Sequence, residues 1–240
     1  MKLETVLGAV ALLSACVVGQ AEVNEEKLKV SVYYESLCPD SKRFIRTQLY
    51  PVKRSSLGDK FVVELIPYGK ATTTPTSTSY EFSCQHGENE CNGNKMHACA
   101  LKYINSTQVQ LDFVHCSMST RNPPQSLTEC AAKLDIVDPV EEIRTCAEGA
   151  EGSELLARNG VETHALRPKL YFVPWITYNG VFSEENLQNS QDSFKTVVCS
   201  ELKKNGHSCN GGISLENSAT TMRHLILGIV IFQFCNKILS

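Results

Sequence analysis

The stretch that decides the fold is Leu28–Ser41, LKVSVYYESLCPDS. Its first part, Leu28 to Ser36, is rich in Val and Tyr and alternates enough to predict a strand. Cys38 follows at once, and Pro39 suits a first helical turn because its missing N–H has no helical partner there. Residues 42–50 then predict a helix with Phe44, Ile45 and Leu49 facing inward, ended by Pro51. Phe61–Pro67, FVVELIP, predicts a second strand. Strand, helix and strand on short links make a βαβ unit, whose strands should be parallel.

Outward from this unit the character of the chain changes. Residues 72–79, TTTPTSTS, predict a polar loop. From about residue 83 to 160 cysteines and helix signals crowd together. Asp138-Pro139-Val140-Glu141 opens a helix with an N-cap and a Pro, and Gly149 closes it. A short helix from Ser153 should end at Asn159-Gly160. Beyond the insert, Lys169–Tyr178 is strand-like around Pro174, Asn179-Gly180 is a turn that starts a hairpin return, and Asp192–Lys204 is the last helix. The two halves, βαβ and ββα, give an α/β, thioredoxin-like fold with a disulfide-stapled helical insertion.

The chain carries eleven cysteines. Cys16 lies in an apolar N-terminal run that reads as a signal peptide, residues 1–21, cleaved after Ala21. Cys235 lies in the apolar tail. Nine remain: Cys38, Cys84, Cys91, Cys99, Cys116, Cys130, Cys146, Cys199 and Cys209. In an oxidising compartment most should be paired, and an odd number leaves at least one over. Cys199 and Cys209 are expected to pair across a helix end; the other partners are not deducible. The exported reading agrees with a glycosylation triplet, Asn105-Ser106-Thr107. Residues 22–209 make one domain. The last part, residues 210–240, has small residues, a polar spacer and an apolar end. It resembles a GPI-anchor signal, although Lys237 departs from that pattern and plain secretion is the alternative. With 23 basic and 26 acidic residues the chain shows no charge balance suited to nucleic acid.

Cys38 has the placement of a nucleophile. Unpaired N–H groups and the helix dipole at a helix start favour a thiolate over a thiol. A dithiol enzyme carries a second cysteine three residues on, which attacks the mixed disulfide. Here that residue is Ser41. In this fold a proline before the third main strand is often cis and lies against the reactive cysteine, a place that falls to Pro174, and the backbone of Val173 can pair with an extended substrate.

The run Cys84-Gln85-His86-Gly87-Glu88-Asn89-Glu90-Cys91-Asn92-Gly93-Asn94-Lys95-Met96-His97-Ala98-Cys99 resembles the signature of the gamma-interferon-inducible lysosomal thiol reductase (GILT) family, C-Q-H-G-x-x-E-C-x-x-N-x-x-x-x-C. Val173-Pro174-Trp175 with Asn179-Gly180 resembles the family's cis-proline segment. The resemblance implies export and reduction of protein disulfides in acidic endosomal or lysosomal compartments. It places the family's nucleophile on Cys38 and its resolving cysteine on Ser41, a departure that puts dithiol turnover in doubt. Cys84, Cys91 and Cys99 are expected in disulfides; a zinc site built from them with His86 and His97 is disfavoured, and no metal or cofactor is expected. Two functions follow. One is monothiol exchange through Cys38 on disulfide-containing proteins. The other is a non-enzymatic secreted or surface-anchored protein that binds an extracellular partner. The expected location is extracellular, or alternatively lysosomal or at the cell surface, with membrane attachment only through a GPI anchor.

Overall fold

The computed structural model describes residues 26–209. The expected signal peptide and the tail with its GPI-like pattern lie outside them, as do Cys16 and Cys235. Strand β1 (Leu28–Tyr34) is the middle strand of three, in the order β2-β1-β5. It pairs in parallel with β2 (Phe61–Pro67), Val30 opposite Val63, and antiparallel with β5 (Trp175–Tyr178), Val30 opposite Tyr178. A central strand is covered on both faces, so β1 reads as nearly continuous burial from Val30 to Tyr34.

Between β1 and β2 the chain runs through α1 (Pro39–Phe44), a π-helical stretch (Ile45–Leu49) and α2 (Tyr50–Lys53). Phe44, Ile45 and Leu49 are fully buried. Pro51 was expected to stop this helix, and it does not. The Tyr50 N–H reaches back five residues to Ile45, so the wider π turn restarts the helix one residue before Pro51. The proline then sits in a first turn, where its missing N–H costs nothing.

The polar loop expected at residues 72–79 is instead mostly a hairpin of β3 (Thr72–Pro75) and β4 (Tyr80–Ser83). Branched threonines suit a pleated, half-exposed surface, and their β preference outweighs their polarity. The insert follows as α3 (Glu88–Tyr103), α4 (Thr107–Ser119), α5 (Leu127–Lys133), α6 (Val140–Glu148) and α7 (Ala150–Ala165). Pro139, not Asp138, takes the N-cap place of α6, and Gly149 ends it as expected. Helix α7 starts before Ser153 and passes through Gly160. That glycine is a packing residue: a Cβ there would lie 2.6 Å from the Tyr68 ring. Asn159 likewise donates to the Pro67 carbonyl at 3.2 Å instead of ending the helix.

Residues 169–173 form no strand, since Pro174 has no N–H for a ladder and pairing with β1 begins at Trp175. The hairpin return shrinks to one bridge, Tyr178 to Val181, across a turn in which Asn179 and Gly180 both have positive φ. The last helix, α8 (Glu184–Lys204), starts eight residues before the expected Asp192 and bends at Ser193, where the backbone leaves helical geometry. The Phe194 ring beyond this bend meets Phe44 and Phe61 edge-on, at 5.3 and 6.0 Å, and ties α8 to the βαβ unit. The arrangement is an α/β thioredoxin-like fold with an inserted helical layer.

Four disulfides staple it: Cys84–Cys91, Cys99–Cys146, Cys116–Cys130 and Cys199–Cys209. Three lie in the insert and its approach, and the fourth fastens the end of α8. Among the described residues, the cysteine left free is Cys38.

Candidate active site

Cys38 sits where β1 gives way to α1. Its backbone is still extended (φ −60°, ψ 124°), and its carbonyl accepts the first helical hydrogen bond, from the Lys42 N–H at 3.0 Å. The residue is only 6% exposed. Its sulfur lies 3.9 Å from the Val173 carbonyl oxygen, within reach of a weak S–H donation. The Val173–Pro174 peptide bond is cis. Cys38, Val173 and Pro174, far apart in sequence, are therefore brought together. Ser41 is fully buried one turn into the helix, and its hydroxyl accepts from the Glu35 N–H at 3.4 Å. Position 41 carries an oxygen turned back toward the end of β1.

Residues that sequence reasoning did not assign to the site shape the loop before Cys38. The Ser36 N–H donates to Asn94 Oδ1 at 2.8 Å, and the Ser36 hydroxyl donates to the Glu90 carbonyl at 3.1 Å. Gly93 faces the same side chain; a Cβ there would come within 2.4 Å of Ser36 Oγ. Glu35, also fully buried, accepts the Lys70 N–H on Oε1 at 2.7 Å. Its other oxygen lies 3.6 Å from His86 Nδ1. Burial pushes the Glu35 carboxyl above its ordinary range, the Lys70 N–H pulls it back, and Glu90 nearby adds to the upward push. His86 and Glu90 are joined at 2.5 Å through Nδ1 and Oε2, and Glu90 Oε1 also accepts the His86 N–H at 3.0 Å.

The last member of this row is His97, fully buried. Its Nδ1 lies 3.1 Å from the Tyr34 hydroxyl and its Nε2 2.7 Å from Ser117 Oγ. Both ring nitrogens of a neutral imidazole are satisfied if Tyr34 donates to Nδ1, Nε2–H donates to Ser117, and Ser117 passes its proton toward the Pro123 carbonyl at 3.2 Å. Burial holds the His97 pKa down at about 3. His97 is thus a structural link between α3 and β1, with both ring nitrogens engaged by hydroxyls. Cys84, Cys91 and Cys99 are in disulfides.

The signature therefore makes one face. His86 lies just before α3, and Glu90, Asn94 and His97 follow on it at helical spacing, so they meet Tyr34, Glu35 and Ser36 in register. That i, i+4, i+8 spacing was a visible sign that His86, Glu90 and Asn94 share a target.

Residues 29–134 match the family described as Gamma interferon inducible lysosomal thiol reductase (GILT). GILT-like protein 1 of Drosophila melanogaster is 37% identical over 206 residues, covering 80% of this chain and 82% of its own. The chain belongs to the GILT family. A second relative, the gamma-interferon-inducible lysosomal thiol reductase of Carassius auratus, is 32% identical over 200 residues, 83% of this chain and 78% of its own. Among solved structures, DsbA of Chlamydia trachomatis superimposes with a TM-score of 0.49 at 13% identity, covering 74% of this chain and 87% of its own. GILT membership makes the chain a thiol–disulfide oxidoreductase by family.

Proposed function

We propose that this GILT-family chain exchanges thiols with protein disulfides through Cys38 alone. The carrying observation is a free thiol at a strand-to-helix junction, 3.9 Å from the Val173 carbonyl, with a hydroxyl at position 41. The Cys38 thiolate attacks one sulfur of a substrate disulfide. A mixed disulfide forms, and the other substrate sulfur leaves as a thiolate. Ser41 has no thiol with which to break this bond. An external thiol such as glutathione attacks the Cys38 sulfur instead, releasing the reduced substrate and leaving Cys38 disulfide-bonded to the external thiol; a second external thiol attacks that bond, restoring Cys38 and leaving as the external disulfide. A thiol of the substrate itself can also attack, and the result is then isomerisation. Val173, next to Pro174, offers its backbone to an extended segment of the substrate.

The proposed setting is the secretory route, with delivery outside the cell or to an acidic endosomal or lysosomal compartment. Asn105, exposed in the short link between α3 and α4, is the proposed glycan carrier. Among the described residues no helix is long and apolar enough to cross a membrane.

Insulin reduction with glutathione as the only reductant tests the proposal. The wild type should turn over slowly and Cys38→Ala should not. Equal rates in both would sink it. A second reading, a binding protein on the GILT scaffold, is favoured by the Ser41 hydroxyl, which stands where a resolving thiol would be. Partner capture that persists in Cys38→Ala would support that reading.

A further inference from the structure

We infer that Glu35, His86 and Glu90 form a site for a divalent transition-metal cation, Zn²⁺ being the best fit, on the loop that leads into Cys38. One donor atom from each residue lies within 4.8 Å of those of the other two. His86 Nδ1 is 2.5 Å from Glu90 Oε2 and 3.6 Å from Glu35 Oε2. Tetrahedral zinc with ligands near 2.0–2.1 Å sets its donors about 3.3 Å apart. The His86–Glu90 pair need open by less than about 1 Å, and the His86–Glu35 pair need close by still less.

An independent observation points the same way. Glu35 Oε2 is buried and, among the described residues, has no hydrogen-bond partner, although the carboxylate to which it belongs is fully enclosed. Buried polar atoms without partners are rare and ask for an explanation. This one is aimed at the His86 and Glu90 donors. Gly69 makes room for it: with φ +63°, a Cβ there would lie 2.2 Å from Glu35 Cγ, so the Glu35 stem runs over bare backbone.

The supporting contacts are those of a metal site. Glu35 Oε1 is held by the Lys70 N–H at 2.7 Å, and Glu90 Oε1 by the His86 N–H at 3.0 Å. Each carboxylate thus keeps one oxygen anchored to backbone and one directed inward. Two carboxylates balance a divalent charge, and one imidazole favours zinc and its transition-metal neighbours over calcium or magnesium. The His86 side chain is 32% exposed, which leaves an edge open to water as the fourth ligand. The site departs from the sequence expectation of no metal, because it takes histidine and carboxylates and leaves the signature cysteines to their disulfides.

Zinc uptake by the full mature chain tests this, in a Cys38→Ala background so that the free thiol cannot bind metal. Calorimetric titration should find one equivalent of Zn²⁺ at neutral pH. Co²⁺ should give the visible absorption of a four- or five-coordinate ion. His86→Ala and, separately, Glu35→Gln should each weaken binding on the order of tenfold to a hundredfold. His86 is partly exposed, so its variant should retain the wild-type circular dichroism. Absence of stoichiometric uptake in the Cys38→Ala chain would overturn the inference. So would uptake that His86→Ala leaves unchanged, since the metal would then sit elsewhere.

Discussion

Ser36 and Asn94, 58 residues apart, are joined by a 2.8 Å hydrogen bond from the Ser36 N–H to the Asn94 side-chain oxygen, and both residues are fully buried. The bond closes one orphan donor in the loop between β1 and Cys38. It gives a signature residue on α3 a direct hold on the backbone two residues before the thiol.

Asn94→Ala should therefore cost about 1–3 kcal/mol of stability, the penalty of leaving a buried donor unpaired. Urea unfolding measures it. The loosened loop should also let iodoacetamide reach Cys38 faster than in the wild type. Unchanged stability would remove the hydrogen bond from the account of the site.

Ser41→Cys restores a thiol one turn from Cys38. The hydroxyl it replaces accepts one long hydrogen bond, 3.4 Å from the Glu35 N–H, so little is lost on substitution. Dithiothreitol-driven reduction of insulin should rise on the order of tenfold or more as an internal resolving step becomes available. No gain would mean that the surroundings, and not only position 41, have lost dithiol chemistry.

Gly160→Ala tests the reading of that glycine as a packing residue. Alanine adds up to about 1 kcal/mol of helix propensity. Its Cβ, however, would stand 2.6 Å from Tyr68 Cε2 on a fully buried ring. Overpacking of about 1–3 kcal/mol should win. Thermal unfolding should show a lower midpoint for the variant; a higher one would mean that the ring yields freely.

The His97 imidazole makes stability depend on pH. Its folded pKa, about 3, lies below the value near 6.5 expected in the unfolded chain. The unfolded state then binds the extra proton, so stability is full above about pH 6.5 and falls as pH drops toward 3. Between pH 7 and 5 this one group should cost about 2 kcal/mol. Comparison of the wild type with His97→Gln by urea unfolding at both pH values isolates it, and the variant's pH slope should be the shallower. Parallel slopes would place the acid sensitivity elsewhere. The proposed acidic setting is thus one in which this residue works against the fold.

Local pattern made much of the architecture legible. Strands β1 and β2 start where their apolar runs do, because a buried strand must carry apolar residues along its length. The Pro174 position was readable because proline has one distinctive role beside a reactive cysteine in this fold. What sequence did not disclose depends on partners. Gly160 looks like a helix stop until Tyr68 is placed against it. Pro51 looks like another until the π turn before it is seen. Thr72–Pro75 is polar, and only pairing with Tyr80–Ser83 makes it a strand. Glu35 and Ser36 seemed merely the end of a strand, since nothing within the βαβ segment announces that α3 will land on them.

The row on α3 also separates two tasks that the motif runs together. Its side chains fasten the doorway through which the chain enters α1, and none of them carries a thiol. In this chain the fastening stands with an oxygen, not a sulfur, at position 41. An unbroken signature is accordingly a certificate of carpentry, and the electron count of the enzyme has to be read elsewhere, at the two ends of Cys38-Pro39-Asp40-Ser41.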